Sequence, residues 1–136
     1  MTRARVLFAD DHAENTELLC RLLQPEFDVV ASVQDGIALV SAADELSPDV
    51  IVTDISMPGL DGISAAIVIL RRNPAARIVF VTVHRDGVLM QRGLATGALG
   101  YVLKRTAGDD LLPAVRAALR GERHVSRALD PGAGYR

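Results

Sequence analysis

Five polar residues stand where apolar runs stop. Asp10 and Asp11 follow Val6-Leu7-Phe8-Ala9, and Asp54 follows Val50-Ile51-Val52-Thr53. Thr82 follows Ile78-Val79-Phe80-Val81, and Lys104 closes the run Leu99 to Leu103. Three carboxylates brought within a few ångströms repel and raise one another's pKa, so such a cluster is costly without a cation among them. Mg²⁺ suits it, being a hard, oxygen-seeking ion that keeps several waters and is held through one or two carboxylates. An ammonium and a hydroxyl nearby are what the oxygens of a phosphoryl group require. A carboxylate with a metal on one side and an ammonium on the other can act as a nucleophile toward phosphorus.

Each residue alone has a plainer explanation. Asp10 or Asp11 could cap the first helix, Asp54 could turn the chain, Thr82 is a β-former and Lys104 could end an exposed strand. Jointly these explanations weaken, because Lys104 is the one lysine among 15 Lys and Arg residues. A compact ammonium fits a small anion beside a carboxylate, where a wide guanidinium fork does not.

These residues converge only if the strands that carry them are parallel. The run from Asp49 to Thr53 lies between Pro48 and Pro58-Gly59 and reads as a strand buried on both faces, the centre of a parallel sheet. A helix from His12 to Gln24 carries Leu18, Leu19, Leu22 and Leu23 and ends before Pro25, and Phe27 to Val33 reads as a second strand. Asp35 caps a helix ended by Ser47-Pro48, and Asp61 caps one ended by Asn73-Pro74. Asp86 opens a weaker helix to Gly97, whose internal Gly93 costs roughly 1 kcal/mol against Ala and predicts the most mobile helix of the five. The last helix carries Leu111, Leu112, Val115, Ala118 and Leu119 and stops at Gly121, and Pro113 places its cap at Asp109 or Asp110. Five alternations of strand and helix predict a doubly wound α/β sheet with right-handed crossovers, whose strand ends lie along one edge.

Composition narrows the function classes. The 136 residues fit one domain, with 49% hydrophobic and 24% charged residues and no run of about eighteen apolar residues to span a membrane. The start Met1-Thr2-Arg3-Ala4-Arg5 has only a short apolar run behind it and is no secretory signal, so a cytoplasmic location is expected. A net charge of −2 gives no global pull on nucleic acid. Cys20 sits among leucines and reads as a packed thiol, and His12, His84 and His124 lack the spacing of a zinc site. Beyond Gly121, residues 122–136 include Pro131-Gly132-Ala133-Gly134 and read as a linker or tail after a domain spanning 1–121.

Across residues 5–121 the chain resembles the receiver domain of two-component response regulators. The resemblance is carried by Asp10-Asp11, Asp54 with Met57-Pro58-Gly59-Leu60-Asp61-Gly62, Thr82, and Gly100-Tyr101-Val102-Leu103-Lys104. It implies a flavodoxin-like five-stranded parallel sheet of order 2-1-3-4-5 with five helices, and a phosphoprotein in which Asp54 accepts phosphate from a histidine kinase. Asp11, Asp54 and the Ser56 carbonyl would hold Mg²⁺, with Asp10 assisting through water. Thr82 and Lys104 would grip the phosphoryl oxygens, and movement of Thr82 would let Tyr101 swing inward. Such a protein is a switch that assists only its own phosphorylation and dephosphorylation, biasing a surface made by the fourth helix, fifth strand and fifth helix.

Asp11-His12 and Gly121-Glu122-Arg123-His124-Val125-Ser126 resemble the NarL/FixJ subfamily, in which this linker leads to a helix-turn-helix DNA-binding domain. That implies transcription regulation, with DNA contact through a domain absent from these residues and a homodimer on phosphorylation. The alternative is a stand-alone receiver, or a pseudo-receiver that acts by protein contacts without phosphorylation. Arg105 stands where receivers often have proline, so no cis bond is assumed after Lys104. Val83 is bulkier than usual beside the site, and Ser56 and His84 occupy positions that influence phosphate lifetime in this family. A flavodoxin-like FMN carrier is disfavoured because Asp10-Asp11 would repel its phosphate. An aspartate-nucleophile phosphatase needs two aspartates one residue apart after a strand, and neither Asp10-Asp11 nor Asp54-Ile55-Ser56 provides them.

Overall fold

The computed structural model describes residues 3–126 and 129. Strands and helices alternate: β1 (Arg5–Ala9), α1 (Ala13–Leu23), β2 (Asp28–Val33), α2 (Gly36–Leu46), β3 (Val50–Thr53), α3 (Gly62–Arg72), β4 (Ile78–Thr82), α4 (Gly87–Ala95), β5 (Gly100–Leu103), α5 (Ala107–Leu119) and β6 (His124–Val125). All pairings are parallel, in the order β2-β1-β3-β4-β5-β6. The expected order of five strands is present, and the segment read as a linker adds a sixth, pairing Gly100 with His124 and Tyr101 with Val125. Residues 127, 128 and 130–136 of that segment lie outside the described residues.

Alternation along each strand sorts side chains into two cores. Val6, Phe8, Val52, Val81 and Val102 face one side, where Leu19, Cys20 and Leu23 of α1 and Leu111 and Val115 of α5 cover them. Leu7, Ile51, Phe80, Tyr101 and Leu103 face the other, under Leu39 of α2 and Ile63, Ala66 and Ile69 of α3. Cys20 is a buried free thiol, and burial pushes its pKa up, which suits packing and opposes nucleophilicity.

Local chemistry sets the helix starts. Asp35, Asp61 and Asp86 each accept a backbone N–H at 2.8 Å, from Ala38, Ser64 and Val88, as their positions predict. Gly62 opens α3 against the carbonyl of Asp54: a Cβ there would stand 2.0 Å from the Asp54 oxygen, so only glycine lets this helix begin so close to β3.

The last helix departs from expectation. It begins at Ala107, so Pro113 is its seventh residue and neither Asp109 nor Asp110 is the cap. Pro113 has no N–H to give the Asp109 carbonyl, so the helix runs on without that bond. Ala107 and Leu111, both buried, hold the early turns against the sheet. Asp110 instead accepts hydrogen bonds from Thr106 Oγ1 at 2.8 Å and Ser126 Oγ at 2.9 Å.

Gly93 has a packing role. A Cβ there would lie 3.2 Å from the Phe80 ring and 3.6 Å from Tyr101, so its absence lets α4 approach β4 and β5 closely.

Candidate functional site

The carboxyl ends of β1, β3 and β5 bring Asp10, Asp11, Asp54 and Lys104 together. Lys104 Nζ lies 2.8 Å from Asp10 Oδ2 and 2.9 Å from Asp54 Oδ2, with Asp10 1% and Asp54 5% exposed. The second Asp54 oxygen accepts the Ile55 N–H at 2.7 Å, and Asp10 Oδ1 accepts the His12 N–H at 2.9 Å. Asp10 therefore shapes the turn before α1, whose cap position is His12. Asp10 Oδ2 and Asp11 Oδ1 are buried and each meets a nitrogen at ion-pair distance rather than in aligned hydrogen-bond geometry, Lys104 Nζ at 2.8 Å for the first and His12 Nδ1 at 2.9 Å for the second.

The electrostatics follow from burial and crowding. Desolvation raises the Asp54 pKa, and its Lys104 partner, which pulls the other way, does not cancel it; the nearby Asp10 charge adds to the rise. Burial also works against the Lys104 ammonium, but two facing carboxylates outweigh it and hold that pKa above its ordinary value. The acids are short of positive charge and the lysine is not.

These residues fit a divalent cation. Ligand atoms of Asp10, Asp11, His12 and Asp54 all lie within 4.8 Å of one another, and three carboxylates there face a single ammonium, which leaves negative charge for a cation to balance. Ser56, expected to offer its carbonyl, lines the same cavity of about 870 Å³, together with Met57, Val83 and Arg92. Val83 is exposed at the edge of that cavity.

Thr82 and Tyr101 are placed differently from the acids. The Thr82 hydroxyl accepts the His84 N–H at 3.1 Å, so it is engaged with the β4–α4 loop. Tyr101 is fully buried and donates its hydroxyl to the His84 carbonyl at 3.0 Å. The inward position that the resemblance assigns to the phosphorylated state is thus already adopted, because the space beside Gly93 and the edge of Phe80 receives the ring. Burial, with Asp86 and Asp54 adding to it, pushes the Tyr101 pKa up to about 12, so the hydroxyl stays a donor. His84 also reaches back, with Nε2 2.8 Å from Ser56 Oγ.

Two groupings were not legible in the sequence. His12 joins the acids, its Nδ1 2.9 Å from Asp11 Oδ1, although its spacing to other histidines gave no sign of it. A second, part-buried cluster joins Thr106, Asp110, Ser126 and His124, with Ser126 Oγ accepting the Leu103 N–H at 2.9 Å. Its only signal was the polar Asp110 inside an otherwise apolar helix face. No peptide bond among the described residues is cis, that after Lys104 included.

Residues 6–116 match the response regulator receiver domain. The chain is 34% identical over 125 residues to the transcriptional regulatory protein DegU of Brevibacillus brevis, covering 90% of this chain and 53% of DegU. It is 38% identical over 120 residues to LiaR of Bacillus subtilis (strain 168), covering 87% of this chain and 57% of LiaR. The chain thus spans little more than half the length of these curated relatives. The crystal structure of a LuxR-family two-component response regulator from Aurantimonas sp. SI85-9A1 superposes with a TM-score of 0.89 at 33% identity, covering 94% of this chain and 93% of that one. Among the described residues no helix is long and apolar enough to cross a membrane. Fold, acidic rim and relatives agree: the chain belongs to the response regulator receiver domain family, among regulators of the NarL/LuxR type.

Proposed function

We propose that Asp54 is the phosphoacceptor of a two-component signalling switch, supplied by a histidine kinase. The observation that carries this reading is the Lys104 ammonium held 2.8 Å from Asp10 Oδ2 and 2.9 Å from Asp54 Oδ2, with the Asp11 carboxylate beside them. A carboxylate oxygen of Asp54 attacks phosphorus as the bond from phosphorus to the kinase imidazole nitrogen breaks, and the imidazole leaves with that electron pair. Burial leaves the Asp54 anion poorly solvated, which strengthens it as a nucleophile. Lys104 stays protonated and balances charge on the phosphoryl oxygens. Asp10, Asp11, Asp54 and the Ser56 carbonyl would hold Mg²⁺, which when bound neutralises charge on the transferring group.

The switch runs through His84. Thr82 holds its N–H and Tyr101 its carbonyl, so a Thr82 hydroxyl drawn toward a phosphoryl oxygen releases one of two bonds on the same residue. The β4–α4 loop and the face of α4, β5 and α5 then shift population, because the two states differ in their contacts to the new dianion. The output is transcription control through a DNA-binding domain in a longer protein, with dimerisation through that face on phosphorylation.

Acetyl phosphate with Mg²⁺, followed by intact mass, tests the reading. The native chain gains one phosphoryl group and Asp54→Asn gains none. A native chain that gains none, with a histidine kinase also failing, would instead support a pseudo-receiver working by protein contacts alone.

A further inference from the structure

We propose that Ser126, outside the acidic rim, is a positioning residue for Lys104: its hydroxyl fixes the end of β5 so that the ammonium stands where a phosphoryl oxygen arrives. The inference rests on the reading of Asp54 as the phosphoacceptor and names what aims the lysine which that reading requires.

Lys104 opens a single 3₁₀ turn, Lys104–Thr106, directly after the last residue of β5. So short a turn holds its direction poorly by itself, because it closes few hydrogen bonds and their geometry is poor. Anchors on both sides supply what it lacks. Before the lysine, the Leu103 N–H donates to Ser126 Oγ at 2.9 Å; after it, Thr106 Oγ1 donates to Asp110 Oδ2 at 2.8 Å. Ser126 Oγ donates to that same Asp110 oxygen at 2.9 Å, so the carboxylate takes the hydroxyl proton and leaves a lone pair facing Leu103. The hydroxyl stands in for a backbone group. The Leu99 and Tyr101 carbonyls accept the N–H groups of His124 and Ser126, but the Ser126 carbonyl turns to accept the Leu129 N–H at 2.8 Å. The Ser126 side chain therefore serves Leu103 where the β6 ladder ends. Ser126 and Leu103 are both fully buried, which shields this bond from water. From the fixed end of β5, Lys104 Nζ reaches Asp10 Oδ2 at 2.8 Å and Asp54 Oδ2 at 2.9 Å. A reacting group misplaced by about 1 Å can lose roughly a hundredfold in rate, so the anchor matters to the chemistry.

The test uses the whole chain labelled with ¹⁵N-lysine. Lys104 is its one lysine, so the side-chain spectrum holds a single ammonium signal. Ser126→Ala, Ser126→Thr and His124→Ala are compared with the native chain at a temperature where circular dichroism shows each of them folded. His124 also meets Asp110, at 3.3 Å, but takes no part in the bond from Leu103 to Ser126, so its variant controls for lost stability. Ser126→Ala is expected to slow phosphorylation by acetyl phosphate roughly tenfold and to shift the ammonium signal. Its Mg²⁺ affinity stays that of the native chain, because the clamp touches none of Asp10, Asp11 and Asp54. Ser126→Thr restores rate and signal, and His124→Ala changes neither. An unmoved ammonium signal in Ser126→Ala, no recovery in Ser126→Thr, or an equal loss of rate in His124→Ala overturns the inference. Should Ser126→Ala not fold, the native chain decides: beryllium fluoride with Mg²⁺, a phosphoryl mimic that engages Lys104, slows exchange of the Leu103 amide, and unchanged exchange overturns the inference. A native chain that takes up no phosphoryl group removes the phosphoacceptor reading instead, and the ammonium signal then decides alone whether Ser126 sets Lys104.

Discussion

Two polar clusters in this chain are built around an aspartate, one buried and one part-buried, and they are wired oppositely. Around Asp54 the carboxylates outnumber the one ammonium facing them, and burial raises the pKa of the central carboxyl. Around Asp110, burial also disfavours the anion, but Thr106, Ser126 and His124 all donate to it and the net shift is downward. The second cluster is satisfied from within the chain and fastens β6 and the start of α5 to the end of β5. The first is unfinished and calls for something from outside. Their contrast separates a group kept for binding from one kept for structure, although both are aspartates in contact with residues at the end of β5 or just past it.

The largest effect expected from this contrast is at Lys104. Lys104→Ala leaves Asp10 and Asp54 buried together without their counter-charge, and urea unfolding without divalent metal should show a loss of about 3–5 kcal/mol. A loss below about 1 kcal/mol would mean that water already reaches the rim. Next in size, Mg²⁺ at a hundredfold its dissociation constant should stabilise the native chain by about 2.7 kcal/mol, and this gain should persist in Asp110→Asn. If the gain disappears there, the clusters are not independent.

Ser126→Ala deprives both the Leu103 N–H and Asp110 of a partner, and should cost about 1–3 kcal/mol. Amide exchange should then speed up at Leu103 and across β6, and unaltered exchange would show that the clamp holds nothing.

The pH dependence should run in opposite directions. Asp54 has a raised folded-state pKa, so its ionised form opposes folding above 3.8, and that penalty fades as pH falls through the raised value. Asp110 has a lowered one, so its contribution favours folding above 3.8 and is lost as pH falls below that through the lower value. Across roughly pH 3 to pH 8, Asp54→Asn should therefore stabilise and Asp110→Asn destabilise near neutrality, both differences shrinking in acid. Urea midpoints that move in the same sense would erase the distinction. Smallest is Tyr101→Phe, which removes the bond to the His84 carbonyl and should cost about 0.5–1.5 kcal/mol in thermal unfolding.

What could be read from the chain follows the range of the forces involved. Asp35, Asp61 and Asp86 cap helices because a side-chain oxygen reaches a backbone N–H two or three residues on, and such local bonds are visible in sequence. Asp10, Asp11, Asp54 and Lys104 were legible for a different reason: each follows a short apolar run, and parallel strands carry all such ends to one edge. Pro113 misled, since its local penalty argued for a later helix start while the burial of Ala107 and Leu111 overrode it. His124 and Val125 looked like tail because two residues carry no periodicity, and they became a strand only where β5 offered an open edge.

By itself, then, the sequence determined the alternation of elements, the caps of α2, α3 and α4 and the set of polar residues at strand ends, all governed by neighbours within a few positions. Tertiary structure alone decided that His12 would stand against Asp11, that Tyr101 would lie inward on His84, and that Asp110 would find Ser126. Those contacts depend on distances of a few ångströms between chain segments, which packing fixes and local pattern does not.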